Sequence, residues 1–229
     1  MRKILLLAIL SVAFYACNSG GGHDQITDDQ IFRQAISGTW LDCSSNDNGV
    51  TYTRTEMISE YGATASSGMD KFGVYSDSGC TTTPLVEVEI YFNDITTGAI
   101  TGETDQSRYI ASDFGNAPKI NFVSGSSYIK VYDAGWHQTF VDLGDYAGLT
   151  LCPSAGCDWY DCTGKNWISS PGTFPVSGRN FYGIVIVNPD DNKLYVHLSG
   201  GGLFDITASD PNSRGGDGSF DGNTGMTKE

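Results

Sequence analysis

The feature that most constrains this chain is its period. Val86, Val88, Ile90 and Phe92 place apolar side chains on one face, while Leu85, Glu87, Glu89 and Tyr91 take the other. Successive side chains of extended backbone point to opposite faces, so an alternation of two marks a half-buried strand. From Thr39 onward no stretch reads as a long helix. Further strands are expected over 52–59, 71–75, 119–123, 128–132, 138–143, 181–187 and 193–198. Turn signals recur at roughly the 8–14-residue spacing of antiparallel neighbours. Asn188-Pro189-Asp190-Asp191-Asn192, between the last two strands, is a hairpin turn by composition. The expected fold class is all-β, an antiparallel barrel or a strongly curved sandwich.

One short helix should precede the strands. Thr27 followed by Gln30 is a capping-box pattern, and Asp28 and Asp29 suit the positive end of the helix dipole. Ile31, Phe32, Ala35 and Ile36 form one apolar stripe, and Gly38 ends it. Such a helix would lie against the domain or plug one end of a barrel. Residues 144–178 break the strand pattern with three cysteines, Trp159, Trp167 and several prolines and glycines. They read as a disulfide-pinned insertion over one end of the sheet. Residues 208–229, rich in Gly, Asp and Asn, read as irregular.

The N-terminus carries its own signal. Met1-Arg2-Lys3 precedes an apolar stretch from Ile4 to Ala16, and Cys17-Asn18-Ser19 and a glycine run follow. The stretch is shorter than the about 20 residues that span a bilayer, and a basic start with a short apolar core is the build of an export signal. Ala16-Cys17 resembles the lipobox of bacterial lipoproteins, whereas Phe14 is too large for an ordinary A-x-A cleavage site. The expected layout is a signal peptide over 1–16, a Gly-rich flexible tether over 17–26 and a single β domain over 27–229. The resemblance implies a mature protein that begins at an acylated Cys17 and hangs from a membrane. Without Asp after the cysteine, lipoprotein sorting in diderm bacteria implies the outer membrane.

A composition with 29 glycines, 12 tyrosines, 11 phenylalanines and 17% charged residues suits an exported β protein. The formal charge is −14, and losing Arg2 and Lys3 makes it two units more negative. That balance disfavours nucleic acid and anionic membrane faces as partners. In an oxidising compartment the cysteines should form disulfides. Cys43 and Cys80 flank one early stretch of strands and are expected to pair. Two of Cys152, Cys157 and Cys162 are expected to pair, and sequence does not choose which. With Cys17 acylated, five thiols remain and one has no intramolecular partner.

Gly38-Thr39-Trp40, directly after the helix, resembles the G-x-W motif of the lipocalins and wider calycins. The resemblance covers the helix and first strand, about a tenth of the chain, and implies a calycin-like barrel. In that family the Trp closes the narrow end of the barrel under an Arg from the last strand. Trp40 carries over; Arg179 and Arg214 are late arginines outside a matching motif. Trp40-x-x-Cys43 with Phe72-x-x-Tyr75-x-Asp77-x-x-Cys80 also resembles small β-barrel lipoproteins and half-barrel ectodomains that hold acyl chains. An eight-stranded barrel either fills itself or holds one small ligand. Trp40, Phe72, Tyr75, Val88, Ile90 and Phe92 are the expected core or ligand-pocket residues, and a small apolar or amphipathic molecule is the expected ligand.

Other chemistry is thinner. Asp210, Asn212, Asp217 and Asp221 approximate an EF-type calcium loop, although Arg214 takes a ligand place and no helices flank it. A zinc reading of the cysteine cluster is weak, because it needs a fourth ligand and neither His137 nor His197 is near in sequence. No nucleophile elbow, H-E-x-x-H or phosphate loop occurs, so no catalytic residues are assigned. Glu87 and Glu89 share a strand face about 7 Å apart, as two-carboxylate hydrolysis would need, but outer-face charge explains them more simply. Two alternatives to a non-enzymatic binding module follow: a surface adhesion protein using 144–178, and a hydrolase using His137 or His197.

Overall fold

The computed structural model describes residues 28–45, 52–60, 67–136, 150–151, 160–164, 166–167, 172–199, 210–215, 218–220 and 225–229. Helix α1 (Asp28–Ile36) leads into β1 (Gly38–Ser45), β2 (Tyr52–Glu60), β3 (Ser67–Tyr75), β4 (Val86–Thr97), β5 (Tyr109–Ser112) and β6 (Gly115–Val131). Four two-residue strands follow: β7 (Thr150–Leu151), β8 (Tyr160–Asp161), β9 (Asn166–Trp167) and β10 (Gly172–Thr173). β11 (Asn180–Asn188), β12 (Lys193–Leu198) and β13 (Met226–Lys228) complete the chain.

The antiparallel pairings run β1-β2-β3-β4-β6-β11-β12-β13, and β13 pairs back onto β1. The sheet is therefore strongly curled and its pairings close into an eight-strand circuit, the arrangement of an up-and-down barrel rather than of two stacked sheets. The circuit follows chain order, with its longest connections between β6 and β11 and between β12 and β13. β5 pairs with the start of β6, and β8 and β7 add to its far half. Part of the 144–178 segment thus joins the sheet instead of only lying over it.

Two of the expected strands, 119–123 and 128–132, are one continuous β6. Ser124-Gly125-Ser126-Ser127 looks like a turn but runs extended. Ile90 faces Ser127 and Phe92 faces Ser124, so β6 carries one extra residue there. A bulge of one residue flips the side-chain phase. Phe122 before it and Ile129 after it therefore both enter the same core. Gly125 sits where a side chain would press on the Tyr91 backbone. β4 makes a matching adjustment between Asn93 and Thr96, with Asp94 at φ 53°, so that Phe92 and Ile95 are both buried.

The helix forms where expected, with Phe32 and Ile36 packed on the core and Ala35 exposed. The 188–192 hairpin also forms, closed by the Asn192 amide donating to the Asn188 carbonyl at 2.8 Å. The expected strand over 138–143 lies outside the described residues. The C-terminal region departs from the irregular tail expected of it. Met226–Lys228 is the closing strand, and Arg214 and Phe220 are buried. Three paired residues are too few for a readable period, and their strand exists because two neighbours offer free edges.

The core lies inside the circuit: Trp40, Val86, Val88, Ile90, Phe92, Ile120, Phe122, Ile129, Phe181, Val185 and Leu194 form its body. A smaller cluster of Ala117, Ile184, Ile186, Tyr195 and Phe220 lies on the other face of β6, β11 and β12, with Ile110 and Phe114 against it. Period two explains the division, since Ile184 and Val185 are adjacent in β11 and point oppositely.

Candidate functional site

G-x-W has a local physical reason here. Gly38 has φ +120°, a conformation side chains rarely adopt, and a Cβ would lie 3.1 Å from Lys228 Cε. Trp40 is 1% exposed, and its indole Nε1 donates to the Ile36 carbonyl at 2.8 Å, tying β1 to the end of α1. Lys228 of β13 places its ammonium 5.2 Å from the Trp40 ring centroid. The cation over the Trp is thus a lysine on the last strand, and neither late arginine fills that place. Arg179 stands 5.1 Å from the Phe181 ring, and Arg214 is buried elsewhere.

Val88, Ile90 and Phe92 are buried with Trp40 in one cluster, and Phe72 packs against it. Tyr75 is buried but belongs to the opposite face of β3. It is three residues from Phe72, so strand parity separates them, and its ring folds back over Gly73. Lys71 shares that outer face and bridges Glu87 at 3.3 Å and Glu89 at 3.7 Å, so one ammonium serves both carboxylates.

The register places an unexpected row along the interior. Trp40 pairs with Met57, Met57 with Asp70, Asp70 with Ile90 and Ile90 with Ser127. Cys162 lies beside Ser127, its amide donating to the Ser127 carbonyl at 3.0 Å. Asp70, Ile90, Ser127 and Cys162 are all buried. Asp70 Oδ1 and Ser127 Oγ have no hydrogen-bond partner. Ser124, in the same strand, instead donates its hydroxyl to the Val176 carbonyl and accepts from the Arg179 amide. Burial pushes the Asp70 carboxyl up to about 7, against a smaller opposing effect of the Lys71 amide. The sequence pattern starts this strand at Lys71, which leaves Asp70 just outside it. Counting back two from Phe72 puts a carboxylate on the apolar face, a signal present in the sequence itself.

A second polar cluster sits on the outer side of β6 and β11. The Arg214 Nε donates to Glu103 at 3.0 Å, and its terminal nitrogens reach Glu103, Asn121 and the Ile120 and Gly183 carbonyls. All five guanidinium hydrogens are thereby used. Lys119 Nζ lies 2.6 Å from both Glu103 Oε1 and the Asp105 carbonyl, and 3.5 Å from Asp105 Oδ2. Burial raises the Glu103 carboxyl, but hydrogen bonds from Lys119 and Arg214 outweigh it and hold the group below its ordinary range. The cluster leaves no donor for a ligand, and its work is to clamp the C-terminal segment to the barrel.

Cys43 and Cys80 form a disulfide, as expected. Cys162 is a buried free thiol, pushed up by burial and by the neighbouring Asp161. Cys152 and Cys157, the other two cysteines of the cluster, lie outside the described residues, as does Cys17. Asp210 accepts from the Asn212 amide and the Ser213 hydroxyl, capping a short turn, and Asn212 accepts from the Thr104 amide. Asp217, Asp221 and His137 lie outside the described residues. His197 packs on Gly215, where its ring would meet any added side chain. Among the described residues no His, Cys, Asp or Glu group of three or more is arranged to hold a metal. No family of known proteins matches the chain, and no curated protein is similar to it.

Proposed function

We propose that this chain is an exported, lipid-anchored, non-enzymatic protein of the bacterial outer membrane, with a calycin-like barrel that holds a small apolar or amphipathic ligand. The observation that supports the reading is the apolar cluster enclosed by the antiparallel circuit, with Trp40 buried at the end marked by α1 and Lys228 over its ring. Ligand sites are concave and mainly apolar, with few polar groups. An interior built from Phe72, Val88, Ile90 and Phe92 has that chemistry. The Gly-rich stretch after Cys17 suits a body held off a membrane. Cys162 accounts for the odd thiol that acylation of Cys17 would leave, so cysteine parity does not oppose the anchor.

Native mass spectrometry of the full chain, released from its own membrane, tests the reading. The expected result is a diacyl or triacyl mass at Cys17 and a second, non-covalent mass in the lipid or small-molecule range. An unmodified Cys17 would remove the anchor. Failure to retain either a co-purified or an added apolar molecule would remove the carrier.

A further inference from the structure

Buried polar atoms without partners are uncommon in folded proteins, and each calls for an occupant or a reason. Two of them, Asp70 Oδ1 and Ser127 Oγ, share the interior row that also holds Ile90. Their Cα atoms are two strand spacings apart, about 10 Å, on the concave side of a curled sheet, where side chains converge. We propose that the barrel takes an amphiphile with an amine head, its ammonium held by the Asp70 carboxylate and the Ser127 hydroxyl and its apolar body against Trp40, Ile90 and Phe92. The proposal rests on the carrier reading above and specifies its ligand.

The charge beside Asp70 selects the head group; Arg33 Nε, the third buried atom of that kind, belongs to α1 and not to this row of strands. Lys71, the charged neighbour in sequence, is on the other face and paired with Glu87 and Glu89. Lys228 is occupied over Trp40, two strands away. Ile90, the register partner of Asp70 on β4, has no charge to offer. A ligand ending in a carboxylate would set two anions together in a poorly solvated space, where like charges repel strongly. An ammonium instead brings three donors and the opposite charge. The site is also held against stability. An unpaired carboxyl in an apolar wall is costly to bury, whereas an apolar side chain there would fold more readily. Residues kept at a stability cost are the pattern expected of binding positions. Ser127 follows the same logic: its backbone is fully engaged with Cys162 and Thr163, and only the hydroxyl is left open.

The test is native mass spectrometry of the full chain with dodecylamine, dodecanol and dodecanoic acid, each at the same concentration and at pH 8. The expected result is that the amine binds at least tenfold more tightly than the acid, with the alcohol between them. In Asp70→Asn the preference for amine over acid should disappear while the alcohol still binds. Ser127→Ala should weaken the amine severalfold and leave the alcohol-to-acid ratio nearly unchanged. Equal binding of all three by the natural chain, tighter binding of the acid, or a preference that survives Asp70→Asn would overturn the amine site and leave the apolar carrier standing. Binding of none of the three would overturn both. Circular dichroism of each variant verifies the fold before the comparison is made.

Discussion

At the scale of single residues, two buried charges have opposite fates. Arg214 has five partners for five hydrogens and stands 5.1 Å from the Tyr182 ring. Removing one member of a buried ionic cluster leaves the others uncompensated, at about 3–5 kcal/mol. Arg214→Ala should lower stability by that amount in urea titrations. Asp70 is the reverse case. Burial pushes its native carboxyl up to about 7 from an ordinary 3.8, so between those values the native state binds the extra proton. Stability then falls as pH rises through that window; the contribution is full below the unfolded value and lost above the native one. A shift of this size corresponds to something on the order of 4 kcal/mol. Asp70→Asn should therefore be more stable than the natural chain at pH 8 by a few kcal/mol (about 2–4) and nearly equal to it at pH 4. Parallel stability-versus-pH curves for the two proteins would contradict this. Glu103, held below its ordinary range, works the other way and loses its stabilising effect as pH falls.

At the scale of elements, β13 does more than its length suggests. Its three residues pair with both β1 and β12, closing the circuit, and it delivers Lys228 to Trp40. A cation over an indole contributes about 0.5–1 kcal/mol at an exposed site. Lys228→Ala should cost about that much. Deleting residues 226–229 should cost several times more, because it also unpairs two strand edges. Comparison of the two denaturation midpoints separates the side chain from the strand; equal losses would mean that closure matters little. The bulges in β4 and β6 show the same economy. One extra residue re-aims a whole strand half, which allows Phe92 and Ile95, or Phe122 and Ile129, to enter one core.

At the scale of the whole molecule, the cysteines divide by position. Cys43 and Cys80, 37 residues apart, join the end of β1 to the β3–β4 connection. Cys162 is enclosed in the barrel core. Its burial disfavours the thiolate, the form that reacts, so the native thiol should resist alkylation. Under non-reducing denaturation of the mature, membrane-released protein, one thiol should become reactive if Cys17 is acylated and Cys152 pairs with Cys157. Two reactive thiols would indicate a free Cys17. Peptide mapping after alkylation with an isotopically labelled reagent assigns each one.

Much of the architecture was legible in local pattern. The period of β4, the short helix α1, the 188–192 turn and the pairing of Cys43 with Cys80 follow from rules that act over a few residues or on thiols in an oxidising compartment. What the sequence alone determined was therefore an antiparallel β protein with a short leading helix, a buried Trp40 and an apolar face on β4. Tertiary structure decided the rest. It merged two strands into β6 through a bulge and made a closing strand of a Gly-rich tail. It supplied Lys228 as the partner of Trp40, placed Tyr75 outside the barrel, and aligned Asp70 with Ser127 across Ile90. The physical reason is common to all of these. Period and turn chemistry are encoded within a strand, but register is set by which edges meet, and a one-residue shift reverses every side chain that follows.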